Sequence, residues 1–82
     1  MEVKINDTAL REFDDLPVTM QDRVLTVIER LKNWPKVSGA KVLTGNWRGH
    51  QRIRTGNYRV IFRVQNDVIF VERIAHRREV YD

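Results

Sequence analysis

Five arginines, Arg48, Arg52, Arg54, Arg59 and Arg63, fall within the stretch RGHQRIRTGNYRVIFRV from Arg48 to Val64, together with His50 and with no acidic residue. A guanidinium presents a planar fork of donors that fits phosphate oxygens and stacks on bases, so a cluster of this kind is suited to an anion. It is a poor acid or base, since its pKa is about 12.5 to 13.8. The groups able to carry a proton are His50 and His76, with an unperturbed pKa of about 6.5, and Tyr81, at about 10. Arg77 lies beside His76 in the C-terminal stretch His76-Arg77-Arg78-Glu79-Val80-Tyr81-Asp82.

Two strands joined by a turn at Thr55-Gly56-Asn57 would position the cluster. Side chains alternate between the faces of a strand, so Arg52 and Arg54 project together, as do Arg59 and Arg63. An even-length loop, either Thr55-Gly56 or a four-residue version, sets all four on one face with His50. Ile53, Tyr58, Val60, Phe62 and Val64 then face the core. Like charges set opposite one another across strands are destabilising. Such a face is either splayed into solvent or built for phosphate, and the hairpin alone leaves both open.

The rest of the chain reads as support. Glu2 to Asn6 alternates apolar Val3 and Ile5 with charge, the period of a short half-buried strand. Asp7 or Thr8 can cap a helix whose inner face is Ala9, Phe13 and Leu16, stopped by Pro17. Thr19, with Asp22 three residues on, resembles a capping box and opens a second helix striped by Met20, Val24, Val27, Ile28 and Leu31. Trp34-Pro35 ends it, because the residue before proline is pushed out of the α region. Trp34 is expected in the core, and Trp47 either packs beneath the hairpin or stacks on a base. The connection 36–47 has no strong period, and Lys41 and Leu43 either begin a strand or pin the loop. Val68 to Ala75, VIFVERIA, is nearly continuous in apolar residues and predicts an interior strand. A three-residue turn before it would bring Arg73, Ala75 and Arg77 to the arginine face; a two-residue turn would bring Glu72 and His76.

The 82 residues allow one modest core, and the chain is read as a single domain over 1–82. The absence of cysteine excludes disulfides and a Cys-based zinc site and suits a reducing compartment. No apolar run approaches the length of a membrane span, and MEVKIND lacks the apolar centre of a signal peptide. A soluble, cytoplasmic protein without membrane association is expected. The net charge of +4 is segregated. Residues 1–46 carry seven basic and seven acidic side chains, whereas residues 47–82 carry eight arginines and four acids. A basic half composed of arginine points to nucleic acid or to an acidic protein partner.

On its motifs the chain resembles the RelE/ParE superfamily of bacterial toxins. The match rests on Gly49-x-x-Arg52-Ile53-Arg54-x-Gly56-x-Tyr58-Arg59-Val60-Ile61-Phe62 and on the ending His76-Arg77-x-Glu79-Val80-Tyr81, with Leu10, Phe13, Leu16-Pro17 and Lys41-x-Leu43-x-Gly45 also in place. The resemblance implies an α+β fold: an N-terminal strand, a two-helix hairpin and a three-stranded antiparallel meander, forming one sheet covered by the helices. It also implies the toxin component of a toxin–antitoxin module, of the RelE branch. Such a protein is an endoribonuclease that cuts mRNA, typically in the ribosomal A site, without metal or organic cofactor, and is neutralised by a cognate antitoxin. Operator DNA is then expected to be bound only by the toxin–antitoxin complex.

Cleavage by the 2′-hydroxyl requires a base, cations to stabilise the phosphorane and an acid for the leaving 5′-oxygen. Carried over residue by residue, the resemblance implies a working set of Arg59, Arg52 with its neighbour His50, Arg77 and Tyr81; the chemistry then assigns Arg59 to the scissile phosphate, Arg77 to the transition state and Arg52 to a neighbouring phosphate. Tyr81 orients or stacks the nucleotide, and either histidine, His76 or His50, exchanges the proton. Arg48, His50, Arg54 and Arg63 are expected to contact RNA. Some members carry two lysines where this chain has His50 and Arg52, which leaves the general base open. Two other readings compete: a ParE-like DNA gyrase inhibitor without nuclease activity, and an inactive basic binding partner of the antitoxin. The joint presence of Arg59, Arg77 and Tyr81 favours the nuclease.

Overall fold

The structure, a computed structural model, describes residues 1–79; Val80, Tyr81 and Asp82 lie outside the described residues. In chain order the elements are β1 (Glu2–Ile5), α1 (Asp7–Asp14), α2 (Val18–Leu31), β2 (Lys41–Val42), a 3-10 turn (Gly45–Trp47), β3 (Gln51–Thr55), β4 (Tyr58–Gln65) and β5 (Val68–His76). The strands form one five-stranded sheet in the order β1-β5-β4-β3-β2. The expected α+β architecture is present, with β3, β4 and β5 as the antiparallel meander. Two elements extend it. β1 pairs in parallel with β5, from Glu2 opposite Val68 to Ile5 opposite Val71, and Lys41–Val42 forms a short edge strand on β3.

Both helices lie on one face of the sheet because each is apolar along one side. Ala9 and Leu16, with Val24, Val27, Ile28 and Leu31 of α2, close over Ile53, Val60, Phe62, Ile69, Val71 and Ile74. Phe62 is fully buried and takes Trp34 edge-on, with ring centroids 5.4 Å apart. Trp34 is thus packed against the core as expected. Val64 shares the parity of this face but lies near the strand end and is exposed. Among the described residues no helix is long and apolar enough to cross a membrane.

The helix starts differ from expectation. Asn6, not Asp7 or Thr8, caps α1: its side-chain oxygen accepts the Ala9 N–H at 2.8 Å. One residue earlier is the better cap because it satisfies an N–H of the first turn. α2 begins at Val18 behind Pro17 and has no side-chain cap, so the Thr19-Asp22 arrangement lies inside the helix instead of opening it. Proline at this boundary fixes its own φ near the helical value and ends the preceding connection.

Candidate nucleic-acid interface

The β3–β4 loop is even-length, as expected, but consists of Gly56-Asn57, with Thr55 opposite Tyr58. Gly56 takes φ +59°, and a Cβ there would meet the Met20 methyl at 2.8 Å and the Arg23 guanidinium at 3.3 Å. The loop is therefore held against α2. In this register Arg54 stands opposite Arg59, Ile53 opposite Val60 and Arg52 opposite Ile61. Arg52, Arg54 and Arg59 consequently share the face turned away from the helices. Arg52 and Arg59 are only 7% and 8% exposed. Leu43, Ile61 and Ala75, with Trp47 packed on them, form a small apolar floor on this side of the sheet.

The register of β5 combines both alternatives. The β4–β5 loop is the two-residue turn Asn66-Asp67, with φ of 52° and 63°, the paired positive values of a tight hairpin turn. Arg63 is therefore opposite Phe70 and Phe62 opposite Val71. The ladder then slips: Ile61 faces Arg73, which leaves Glu72 as the extra residue of a bulge. Beyond the bulge Arg59 faces Ala75 and Tyr58 faces His76. Ala75 thus lies on the arginine face, as the longer turn would have placed it, while Glu72 points to His50 and Arg63, as the shorter turn suggested. His76 is on the helix side.

Glu72 organises the far end of the open face. Its Oε1 accepts a hydrogen bond from His50 Nε2 at 2.7 Å and its Oε2 one from Arg63 Nε at 2.5 Å. Arg63 also donates to the Gln65 side chain and lies over the Phe70 ring, 4.3 Å from its centroid. Burial alone would push the Glu72 carboxyl up, but hydrogen bonds from His50 and Arg63, and their charges, outweigh it and hold the group below its ordinary value. A carboxylate only accepts, so His50 Nε2 carries a hydrogen. Nδ1 faces a second acceptor, the Arg48 carbonyl, at 3.3 Å, and the ring packs edge-on against Trp47. Trp47 is thereby packed beneath the hairpin.

The remaining expected residues are placed as follows. Arg48 is exposed beyond the 3-10 turn. His76 stacks edge-on with Tyr58 at 5.3 Å, and its Nδ1 accepts the Arg78 N–H at 3.2 Å. Arg77 is exposed, and its N–H donates to the Asn57 carbonyl at 2.8 Å, which ties the C-terminal turn to the β3–β4 loop. Tyr81 lies outside the described residues. The fold therefore gathers Arg52, Arg54 and Arg59 at one end of the face, with the Arg77 backbone beside their loop, and His50 with Arg63 at the other. Arg59 and Arg63 are four strand residues apart, about 13 Å. From sequence Glu72 was named only as a residue that the shorter turn would bring to the arginine face; its pairing with His50 and Arg63 was not expected.

A sequence profile of the ParE toxin of type II toxin-antitoxin systems, parDE, matches residues 3–81. The chain belongs to this toxin family. Toxin RelE3 of Methanocaldococcus jannaschii is 29% identical to the toxin over 85 residues, covering 100% of this chain and 97% of that protein. The RelB-RelE antitoxin-toxin complex from Methanococcus jannaschii contains a chain 27% identical, with a TM-score of 0.76 over 95% of this toxin and 94% of that chain. The toxin-antitoxin complex RelBE2 from Mycobacterium tuberculosis contains a chain with the same fold, at 24% identity and a TM-score of 0.79, over 92% and 95% of the two chains. The superfamily read from the hairpin and the C-terminal motif is thus borne out.

Proposed function

We propose that the toxin is an endoribonuclease of the RelE branch that cleaves mRNA, in the ribosomal A site, by attack of the 2′-hydroxyl on the adjacent phosphate. The observation that carries this reading is the pair Arg52 and Arg59: two arginines on adjacent strands of one face, each more than nine-tenths buried as a whole residue. Side by side on one face, the two side chains offer paired forks of donors of the kind that fit phosphate oxygens. Arg59 holds the scissile phosphate, Arg52 a neighbouring one, and Arg77 stabilises the charge that develops in the transition state. Arg48, Arg54 and Arg63 extend the contact with RNA.

The proton exchange falls to Tyr81. His50 belongs to the far end of the face and has Nε2 engaged by Glu72, while His76 shares the helix side with Tyr58. A phenol, with an ordinary pKa of about 10, can give up and take back a proton where a guanidinium cannot. The reaction closes when the same centre returns a proton to the 5′-oxygen. A cognate antitoxin is the expected partner, since the toxins of the jannaschii and tuberculosis complexes are seen with theirs. It would cover the basic face, and operator DNA would be bound by that complex. Ribosome and mRNA complete the partners, in the cytoplasm.

Single-turnover cleavage on programmed ribosomes tests the assignment: Arg59→Ala, Arg77→Ala and Tyr81→Phe each slow it, and undiminished rates in all three refute it. The pH–rate profiles of His50→Ala and His76→Ala should keep the wild-type acid limb. A gyrase-inhibiting toxin is the second reading, favoured by the ParE profile that matches the chain. Induced expression separates the two, because an early stop in translation marks the nuclease and an SOS response marks the gyrase poison.

A further inference from the structure

β1 ends at Ile5, opposite Val71, and the Asn6 N–H makes the last main-chain bond to that edge, at the Val71 carbonyl. Past this point the outer edge of β5 is served by α1. Glu12 Oε1 accepts the Ile74 N–H at 2.9 Å, as a neighbouring strand would. The same carboxylate takes the Arg73 guanidinium as a fork, with Nε 3.0 Å from both oxygens and Nη2 2.8 Å from Oε2. This two-point geometry is the strong form of the carboxylate–arginine pair.

Anchoring β5 needs no more than that. Yet Arg73 Nη2 continues to Glu79 Oε2, at 3.3 Å, across the C-terminal turn. The turn is held at its other end as well: the Arg77 N–H donates to Asn57 O and the Glu79 N–H to His76 O, both at 2.8 Å. Side-chain exposure rises along the chain of contacts, from 22% at Glu12 and 28% at Arg73 to 57% at Glu79. The hydrogen bond that Arg73 donates to Glu12 raises the Arg73 pKa against the opposing effect of burial, so the guanidinium stays charged.

We propose that Glu12 and Arg73 are positioning residues for Arg77: they hold Glu79, and with it the turn 77–79, against the β3–β4 loop, so that helix α1 sets where the C-terminal arginine stands. The effect on RNA cleavage rests on the ribonuclease reading; the effect on the position of the turn does not.

Two variants of the whole toxin test this. Glu79→Gln cuts only the exposed arm. Glu12→Gln keeps an oxygen for the Ile74 N–H and weakens the fork. The measurements are amide exchange at Arg77 and Glu79, trypsin nicking after Arg77 and Arg78, the thermal midpoint and single-turnover cleavage. Glu79→Gln should speed exchange and nicking about two- to fivefold, the range of an exposed ion pair, at an unchanged midpoint. Glu12→Gln should speed them by about tenfold, as for loss of a charged hydrogen bond. Cleavage should slow in the same order at unchanged RNA affinity. Wild-type exchange and nicking in both variants, or a lowered midpoint as the sole effect of Glu12→Gln, would overturn the proposal. Should Glu12→Gln fail to fold, Glu79→Gln decides alone. A wild-type toxin that cuts no RNA while the variants show the exchange changes would sink the ribonuclease reading and leave the positioning role standing.

Discussion

The two ends of the open sheet face use the same residue types to opposite effect. Near the β3–β4 loop, Arg54 faces Arg59 across the hairpin and Arg52, two positions from Arg54 on β3, lies diagonal to Arg59, with two of the three almost enclosed. At the other end a bulge inserts Glu72, and its two oxygens are divided between His50 and Arg63. Arg63 is further committed to Gln65 and to the Phe70 ring. At this second end the guanidinium and the imidazole share one carboxylate. Residue type alone therefore does not describe this face, because what the fold sets beside each arginine differs between its ends.

The largest expected effect contrasts the ends directly. Arg59→Ala should lower single-turnover cleavage by about 10²- to 10³-fold, the scale for losing one group that stabilises transition-state charge, and Arg63→Ala by less than about tenfold. Equal losses would break the distinction. Next comes stability: Glu72→Gln should cost about 1–2 kcal/mol near neutral pH, through weakened charged hydrogen bonds. Because the folded state lowers the Glu72 pKa, its contribution is present above the ordinary value of 4.5 and fades as pH falls through the lowered one. The gap between wild type and variant in denaturant titrations should therefore close in acid, and a gap that persists at pH 2 would contradict the ion cluster. The smallest effect is on salt dependence. Arg54→Ala should reduce the slope of log affinity against log salt for single-stranded RNA by about 0.7, one phosphate contact, and Arg63→Ala by clearly less.

Much of this was legible in the sequence, for local reasons. The common face of Arg52, Arg54 and Arg59 follows from strand alternation and an even loop, so it survives the shift of the loop from Thr55-Gly56 to Gly56-Asn57. The stripe of α2 predicted its buried residues, Val24, Val27, Ile28 and Leu31. What escaped depends on partners remote in the chain. The parallel pairing of β1 with β5 joins residues more than sixty positions apart, and Glu12 finds Arg73 only because that pairing stops at Ile5. The cap at Asn6 was missed by one residue, since Asn6, Asp7 and Thr8 all have suitable side chains. The slip at Glu72 has no marker in composition, because a charged residue in a strand reads the same whether it is paired or extra.

That slip resets the phase of β5. Continued from its turn without the extra residue, the ladder would set Arg73 opposite Val60, which is fully buried, and Ile74 and His76 on the arginine side. One inserted position thus decides whether His76 shares a surface with Arg59, and does so without changing a single side chain. Gain or loss of one residue in this strand would therefore turn over the part of β5 that follows it while the arginines of β3 and β4 stayed in place.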